Sequence, residues 1–153
     1  GMQYFDLASV EGGYQRTGTR TPMQWTGGRN CGFSGAEKEK LYLPVDERRA
    51  APNVEAQTRD PNSLLNTVRR VLALRHANPE LQSRANFEVL YAEKGKYPFV
   101  FGRGRFTIAV NPSWRETEIP LKREGKPVFQ IGTCRLQDGY LLMRGQSFGV
   151  FEG

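Results

Sequence analysis

The spacing of apolar residues changes character once along this chain of 153 residues. Leu64, Leu65, Val68, Val71 and Leu72 fall at i, i+1, i+4, i+7 and i+8. That is one apolar stripe at the 3.6-residue period of a helix. Asp60-Pro61 reads as the helix start, because Asp accepts orphan N–H groups and Pro suits the first helical position. Asn78-Pro79 reads as its end. A shorter helical turn, capped by Asn53, is expected over residues 53–60.

From residue 84 the period shortens. Strand-like runs cover 86–93, 97–102, 105–111, 115–121, 126–132, 139–144 and 146–152. Between them lie Gly95-Lys96, Gly102-Arg103-Gly104, Asn111-Pro112-Ser113, Glu124-Gly125 and Asp138-Gly139. Short strands at roughly ten-residue spacing predict an antiparallel β-sandwich or barrel. Phe99, Phe101, Ile108, Val110, Ile119, Val128, Phe148 and Val150 are the expected core, and Asp138-Gly139 signals a tight hairpin.

Residues 1–52 follow neither period. Glycines punctuate them, and Leu41-Tyr42-Leu43-Pro44-Val45 reads as a strand or an extended arm. A structureless stretch of this length is unusual inside a compact domain. The run Arg20-Thr21-Pro22-Met23-Gln24-Trp25, followed by Asn30-Cys31-Gly32-Phe33-Ser34, stands out within it. A central Pro breaks helix and sheet, yet the flanks are Met, Trp and Phe. This predicts an ordered loop with apolar anchors, a common carrier of function. Burial is then a problem. The helix stripe needs a partner, and each exposed Leu or Val forfeits about 1.5–3 kcal/mol. The chain therefore folds its arm back, pairs with a copy of itself, or belongs to something larger.

Composition narrows the function classes. Net charge is +6, spread as zero over residues 1–61, +2 over 62–83 and +4 over 84–153, with acids interleaved. A nucleic-acid partner would want a concentrated basic stripe with aromatics, so none is expected. No apolar run approaches the ~18 residues of a membrane span. Cys31 and Cys134 stand alone and His76 is the only histidine, which leaves no metal-ligand spacing and no cofactor motif. The cysteines read as buried or idle thiols, and His76 as a helix-end residue. Gly1-Met2 reads as a tag remnant before an internal start. On that reading any targeting signal lies upstream, and the compartment, cytoplasmic or periplasmic, stays open.

The motifs above resemble a segment of glycoside hydrolase family 13, the α-amylase superfamily. In its oligo-1,6-glucosidase and trehalose synthase branches a stretch like RTPMQW…NAGFS follows the eighth barrel strand. Here it is Arg20–Trp25 and Asn30–Ser34, with Cys31 in place of Ala. Lys40–Val45 is similar to the trehalose synthases. Asn53–Gln57, Asp60–Asn66, Ala73-Leu74-Arg75 and Asn78-Pro79 resemble the lead-in and body of the last barrel helix. The similarity is close over residues 16–82. Beyond 84 it rests on strand pattern.

The resemblance implies a mainly β chain, with a C-terminal antiparallel β-sandwich preceded by an irregular arm and one amphipathic helix from the end of a (β/α)8 barrel. Residues 1–83 would complete the truncated barrel and 84–153 form the C-terminal domain. The implied parent acts on α-glucosides or maltooligosaccharides. Retaining glycosidases use two carboxylates ~5–5.5 Å apart, and the family's lie upstream of this loop. The acids here, Glu37, Glu39, Glu116 and Glu118, read as solvated surface. The chain is therefore expected to be inactive alone, with the upstream barrel as its partner. Arg20, and secondarily Arg16, would contribute to the parent's glucose pocket, since a guanidinium fork holds carboxylates and sugar hydroxyls. Pro22, Met23 and Trp25 would seat the loop. Trp114 reads as folded over the sandwich edge or as a sugar-stacking residue. The alternative function is a carbohydrate-binding β-sandwich without chemistry, for which Tyr97, Phe99 and Phe101 are an alternating aromatic row. A third reading is a self-associating domain driven by the helix stripe.

Overall fold

The computed structural model describes residues 10–11, 14–15, 21–43, 45–46, 48 and 50–153. The chain divides into two compact units, Gly1–Arg70 and Val71–Gly153. In the first, β1 (Val10–Glu11) and β2 (Tyr14–Gln15) pair antiparallel. Short 3-10 turns follow at Arg29–Gly32 and Lys38–Lys40. Of the two readings for Leu41–Val45, a strand or an extended arm, the strand is not seen among the described residues: Tyr42 and Leu43 form bends.

Helix α1 (Val54–Arg59) is capped as its sequence predicts: Asn53 Oδ1 accepts from Ala56 N at 2.9 Å. Helix α2 runs Leu64–Ala77, so its start lies later than Asp60-Pro61. The reason is competition for the Asp60 side chain, which accepts from Asn62 N at 2.8 Å and makes a turn between the helices. Ser63 takes over as cap, its Oγ accepting from Asn66 N at 3.2 Å. Asn66 Nδ2 closes the turn on the carbonyls of Gln57, Thr58 and Asp60.

No residue of α2 is fully buried. Leu64 is 72% exposed, and Val68 and Leu72 are each 45% exposed. Of the stripe predicted to need a partner, these three residues lie open while Leu65 and Val71 are half-buried. Only the last turn is well employed, where Leu74 packs with Leu81 against Phe106, Ile108 and Val150. This contact draws the end of α2 into the second unit, so the packing boundary falls ahead of the change of pattern at residue 84.

The second unit carries β3 (Glu88–Tyr91), β4 (Phe99–Arg103), β5 (Phe106–Asn111), β6 (Thr117–Pro120), β7 (Lys126–Ile131), β8 (Cys134–Gln137), β9 (Tyr140–Met143) and β10 (Ser147–Glu152). They form a five-stranded sheet, β3-β4-β5-β10-β7, and a three-stranded sheet, β6-β9-β8, both antiparallel throughout. Val100, Ala109 and Phe151 from the larger sheet meet Ile119, Leu121, Cys134, Leu136, Leu141 and Met143. This is the expected β-sandwich. Its eighth strand, β8, was not anticipated, although Cys134 and Leu136 point in while Arg135 and Gln137 point out. The Asp138-Gly139 hairpin needs β8, and both turn residues take positive φ, 54° and 78°.

The expected core is corrected on one point of geometry. Phe101, Ile108, Val110, Phe148 and Val150 share the other face of the larger sheet, where the end of α2 packs. Ile108, Ile119 and Val150 are buried, but Phe101, Val110 and Phe148 are half-buried and Phe99 is exposed. Val128 is exposed because it is the extra residue of a bulge: Val150 pairs with Phe129 and Phe151 with Pro127. An ion-pair cluster fixes residues 78–82 to the β4–β5 hairpin. Arg105 donates to Glu152 at 2.6 Å, to Asn78 at 2.9 Å and to Glu80, while Arg103 Nε donates to the Glu80 carbonyl at 3.3 Å.

Candidate functional site

The Thr21–Trp25 segment has no regular secondary structure and ends against the start of α1. Val54 N donates to Gln24 O at 3.0 Å and Glu55 N to Trp25 O at 2.9 Å. These are helix N-terminal donors that otherwise lack partners, so the segment is held by main chain rather than by burial. A tight reversal follows. Asn30, Cys31 and Gly32 all take left-handed φ, 48°, 53° and 69°. Asn tolerates this region and Gly adopts it freely, whereas Cys31 sits there at a cost of about 1–2 kcal/mol. The hydrogen bonds around it offset that cost. Trp25 N and Thr26 N both donate to Cys31 O, at 2.8 and 3.1 Å. Asn30, almost fully buried, donates through Nδ2 to Ser34 O at 2.9 Å and Ala36 O at 2.8 Å.

Asp46 is the second anchor. Its carbonyl accepts from Gln24 Nε2 at 3.1 Å and lies 3.5 Å from Cys31 Sγ. Its carboxylate takes a two-pronged hydrogen bond from Arg48, with Nε at 2.7 Å. That bond to Arg48 holds the Asp46 carboxyl below its usual range. These groups line a cavity of about 600 Å³, together with Thr26, Arg29, Glu37 and Asn53. Its chemistry is scaffolding. Glu37 pairs with Arg29 at 2.9 Å and Asp46 with Arg48, so neither is a free carboxylate poised as nucleophile or acid.

Arg20 and Arg16, the expected pocket residues, lie outside the described residues. Met23 and Trp25 are about half exposed, 52% and 49%. Glu39, Glu116 and Glu118 are exposed. Both cysteines are free and buried, and His76 lies in the last turn of α2. The described residues hold no group of three or more His, Cys, Asp or Glu fit for a metal. No helix among them is long and apolar enough to cross a membrane. Tyr97 and Phe99 are exposed, and Phe101 stacks on Phe87 (5.1 Å) and meets Phe99 at a tilt (5.4 Å). Trp114 is not folded over the sandwich edge: it is 83% exposed. Sequence reasoning missed Asn30, Asp46 and Asn66 as the hubs of the first unit. The Asn-Cys-Gly run held the signal for Asn30, whereas Asp46 and Asn66 act through partners distant in sequence.

The model of the α-amylase catalytic domain matches residues 2–84, more than half of the chain. The chain belongs to the α-amylase family, glycoside hydrolase family 13. A trehalose synthase/amylase of Mycobacterium tuberculosis is 48% identical over 68 residues, 42% of this chain and 11% of that protein. A glucan 1,6-α-glucosidase of Streptococcus pneumoniae is 30% identical over 121 residues, 78% of this chain and 22% of that protein. Among solved structures, a variant of isomaltulose synthase from Erwinia rhapontici superposes with a TM-score of 0.74 at 20% identity. That superposition covers 90% of this chain and 25% of the synthase. The likeness to the synthase is one of fold. The chain thus spans about a tenth to a quarter of the length of these relatives.

Proposed function

We propose that this chain is the C-terminal portion of an α-glucan-acting glycoside hydrolase or transglucosidase of the α-glucosidase or trehalose synthase kind. Residues 1–83 complete its catalytic barrel, and 84–153 form a β domain beside it. The observation that carries the reading is a coincidence of limits. The catalytic-domain match ends at residue 84, and the helix within it leaves Leu64, Val68 and Leu72 open to solvent. A last barrel helix would bury that stripe against neighbouring barrel elements. The loop after Arg20 is the second support. The described part of it, at Gln24 and Trp25, is tied to α1 and to Asp46, and on this reading Arg20 serves the glucose pocket, with Arg16 the second choice.

The chain by itself does no chemistry, because its described acids are exposed or paired with arginine. The test uses two proteins. The 153-residue chain is expected to leave maltose and p-nitrophenyl α-glucoside untouched, and measurable turnover would overturn the reading. A longer protein carrying the barrel is expected to turn over α-glucosides. In it, Arg20→Ala should raise KM and lower kcat/KM by about tenfold or more, the loss of a charge-assisted hydrogen bond. Unchanged kinetics would remove Arg20 from the pocket.

A further inference from the structure

Trp114 is the most exposed large apolar side chain in the described residues, yet its backbone is among the best held. Asn111, fully buried, donates through Nδ2 to Arg115 O at 2.9 Å and Arg144 O at 3.0 Å. Its Oδ1 accepts from Ser113 N at 3.2 Å and Ser113 Oγ at 2.7 Å. Gln146 N donates to Ser113 O at 2.7 Å. Gly145 lies so close that a Cβ there would come within 2.5 Å of the Trp114 carbonyl group. The loop is therefore rigid while the indole stands in water. An aromatic side chain on a held backbone gives up only its own rotamer freedom on binding a ligand.

What lies around it decides the kind of ligand. Glu116 and Arg144, an ion pair at 3.5 Å, flank the loop. From Arg144 the outward positions of β9 continue to Leu142 and Tyr140, the latter 51% exposed. Strand rise puts Tyr140 roughly 13 Å from Arg144, so Tyr140 lies at the far end of β9 from the Trp114 loop, whose backbone approaches Gly145. Beside Tyr140 a groove of about 210 Å³ is lined by Glu118, Arg135, Gln137, Asp138 and Leu142. Both charge signs are present, which disfavours a phosphate backbone or an anionic lipid surface. Aromatic faces set among carboxylate, guanidinium and amide groups suit a pyranose. Its C–H face meets the electron-rich ring, and its hydroxyls meet the polar ends.

We propose that the outer face of the β6-β9-β8 sheet is a non-catalytic glucan-binding surface, with Trp114 and Tyr140 as its stacking platforms. The choice of an α-linked chain rests on the proposed function; the surface itself does not. The test titrates the 153-residue chain with maltoheptaose and with cellohexaose. Calorimetry gives affinity, and the fluorescence of a Trp25→Phe variant reports on Trp114 alone, since the chain has two tryptophans. Maltoheptaose is expected to bind in the millimolar to micromolar range and to shift the Trp114 emission. Trp114→Ala should weaken binding at least about tenfold and Tyr140→Ala about threefold, with thermal melts unchanged. Binding of cellohexaose alone, lost in Trp114→Ala, would uphold the surface and overturn the α-glucan reading. No binding of either sugar, or undiminished affinity in Trp114→Ala, overturns the surface and leaves the barrel assignment to its own test.

Discussion

The two units of this chain solve the burial problem in opposite ways. The second hides two apolar clusters, one between the sheets and one under the end of α2. Among its described residues the first buries few side chains, Asn30, Cys31, Val45 and Ser63, and leaves Met23, Trp25, Phe33, Tyr42, Leu64 and Val68 exposed. Its order comes from main-chain and amide hydrogen bonds at Asn30, Asn66 and the α1 N-terminus. Net hydrogen bonds contribute about 0.5–1.5 kcal/mol each, whereas a buried large apolar side chain contributes about 1.5–3. The β unit thus carries its own core, and the loop-and-helix unit has the surface of a part made to be covered.

The sharpest way to break that comparison is a core truncation set against a loop truncation. Phe151→Ala should destabilise the β unit by about 3–5 kcal/mol, and Trp25→Ala should move its melt by less than about 0.5 kcal/mol. Denaturant unfolding of both variants checks this, and equal losses would remove the distinction. Next is Asn111→Ala, which removes the buried donor to the Arg115 and Arg144 carbonyls and should cost about 1–3 kcal/mol. Arg105→Ala removes the partner of Glu80, Glu152 and Asn78. All three ion-pair side chains are a third or more exposed, so the expected loss is small and should shrink further in high salt. Leu72→Lys exchanges residues of similar helix propensity on an open face. It should change the melt by less than about 0.5 kcal/mol, and a large loss would mean that the stripe is covered in solution.

The smallest expected effect is in pH. Arg48 lowers the folded-state pKa of Asp46. Its stabilisation is therefore complete above the usual Asp value near 3.9. It fades as pH falls through the lower folded value. Amide NMR of Arg48, whose N–H donates to Asp46 Oδ1 at 3.2 Å, should report the loosening in that window. A transition at or above the usual value would contradict the pairing.

Much of this was legible in sequence for identifiable reasons. Asn53 capped α1 because capping is decided within four residues. Asp138-Gly139 made its hairpin because a two-residue turn with positive φ at both positions admits few residue types. The start of α2 was misread because Asp60 had two local uses, and the turn to Asn62 won over the helix. The core was misassigned because alternation along β5 names two faces without saying what covers each. Both faces of β5 are buried, one by the small sheet and one by the end of α2. The Trp114 loop depends on Asn111 meeting the Arg144 carbonyl, a contact between segments far apart in sequence.

Local chemistry in the sequence determined the helices, the turns and the family motifs, because period, caps and turn residues act over a few neighbours. The tertiary structure alone decided which face of each strand became core and which aromatics were left in water. It also left Leu64, Val68 and Leu72 of α2 exposed among the described residues. Those outcomes depend on which distant surfaces meet, and burial is a property of the meeting rather than of either segment.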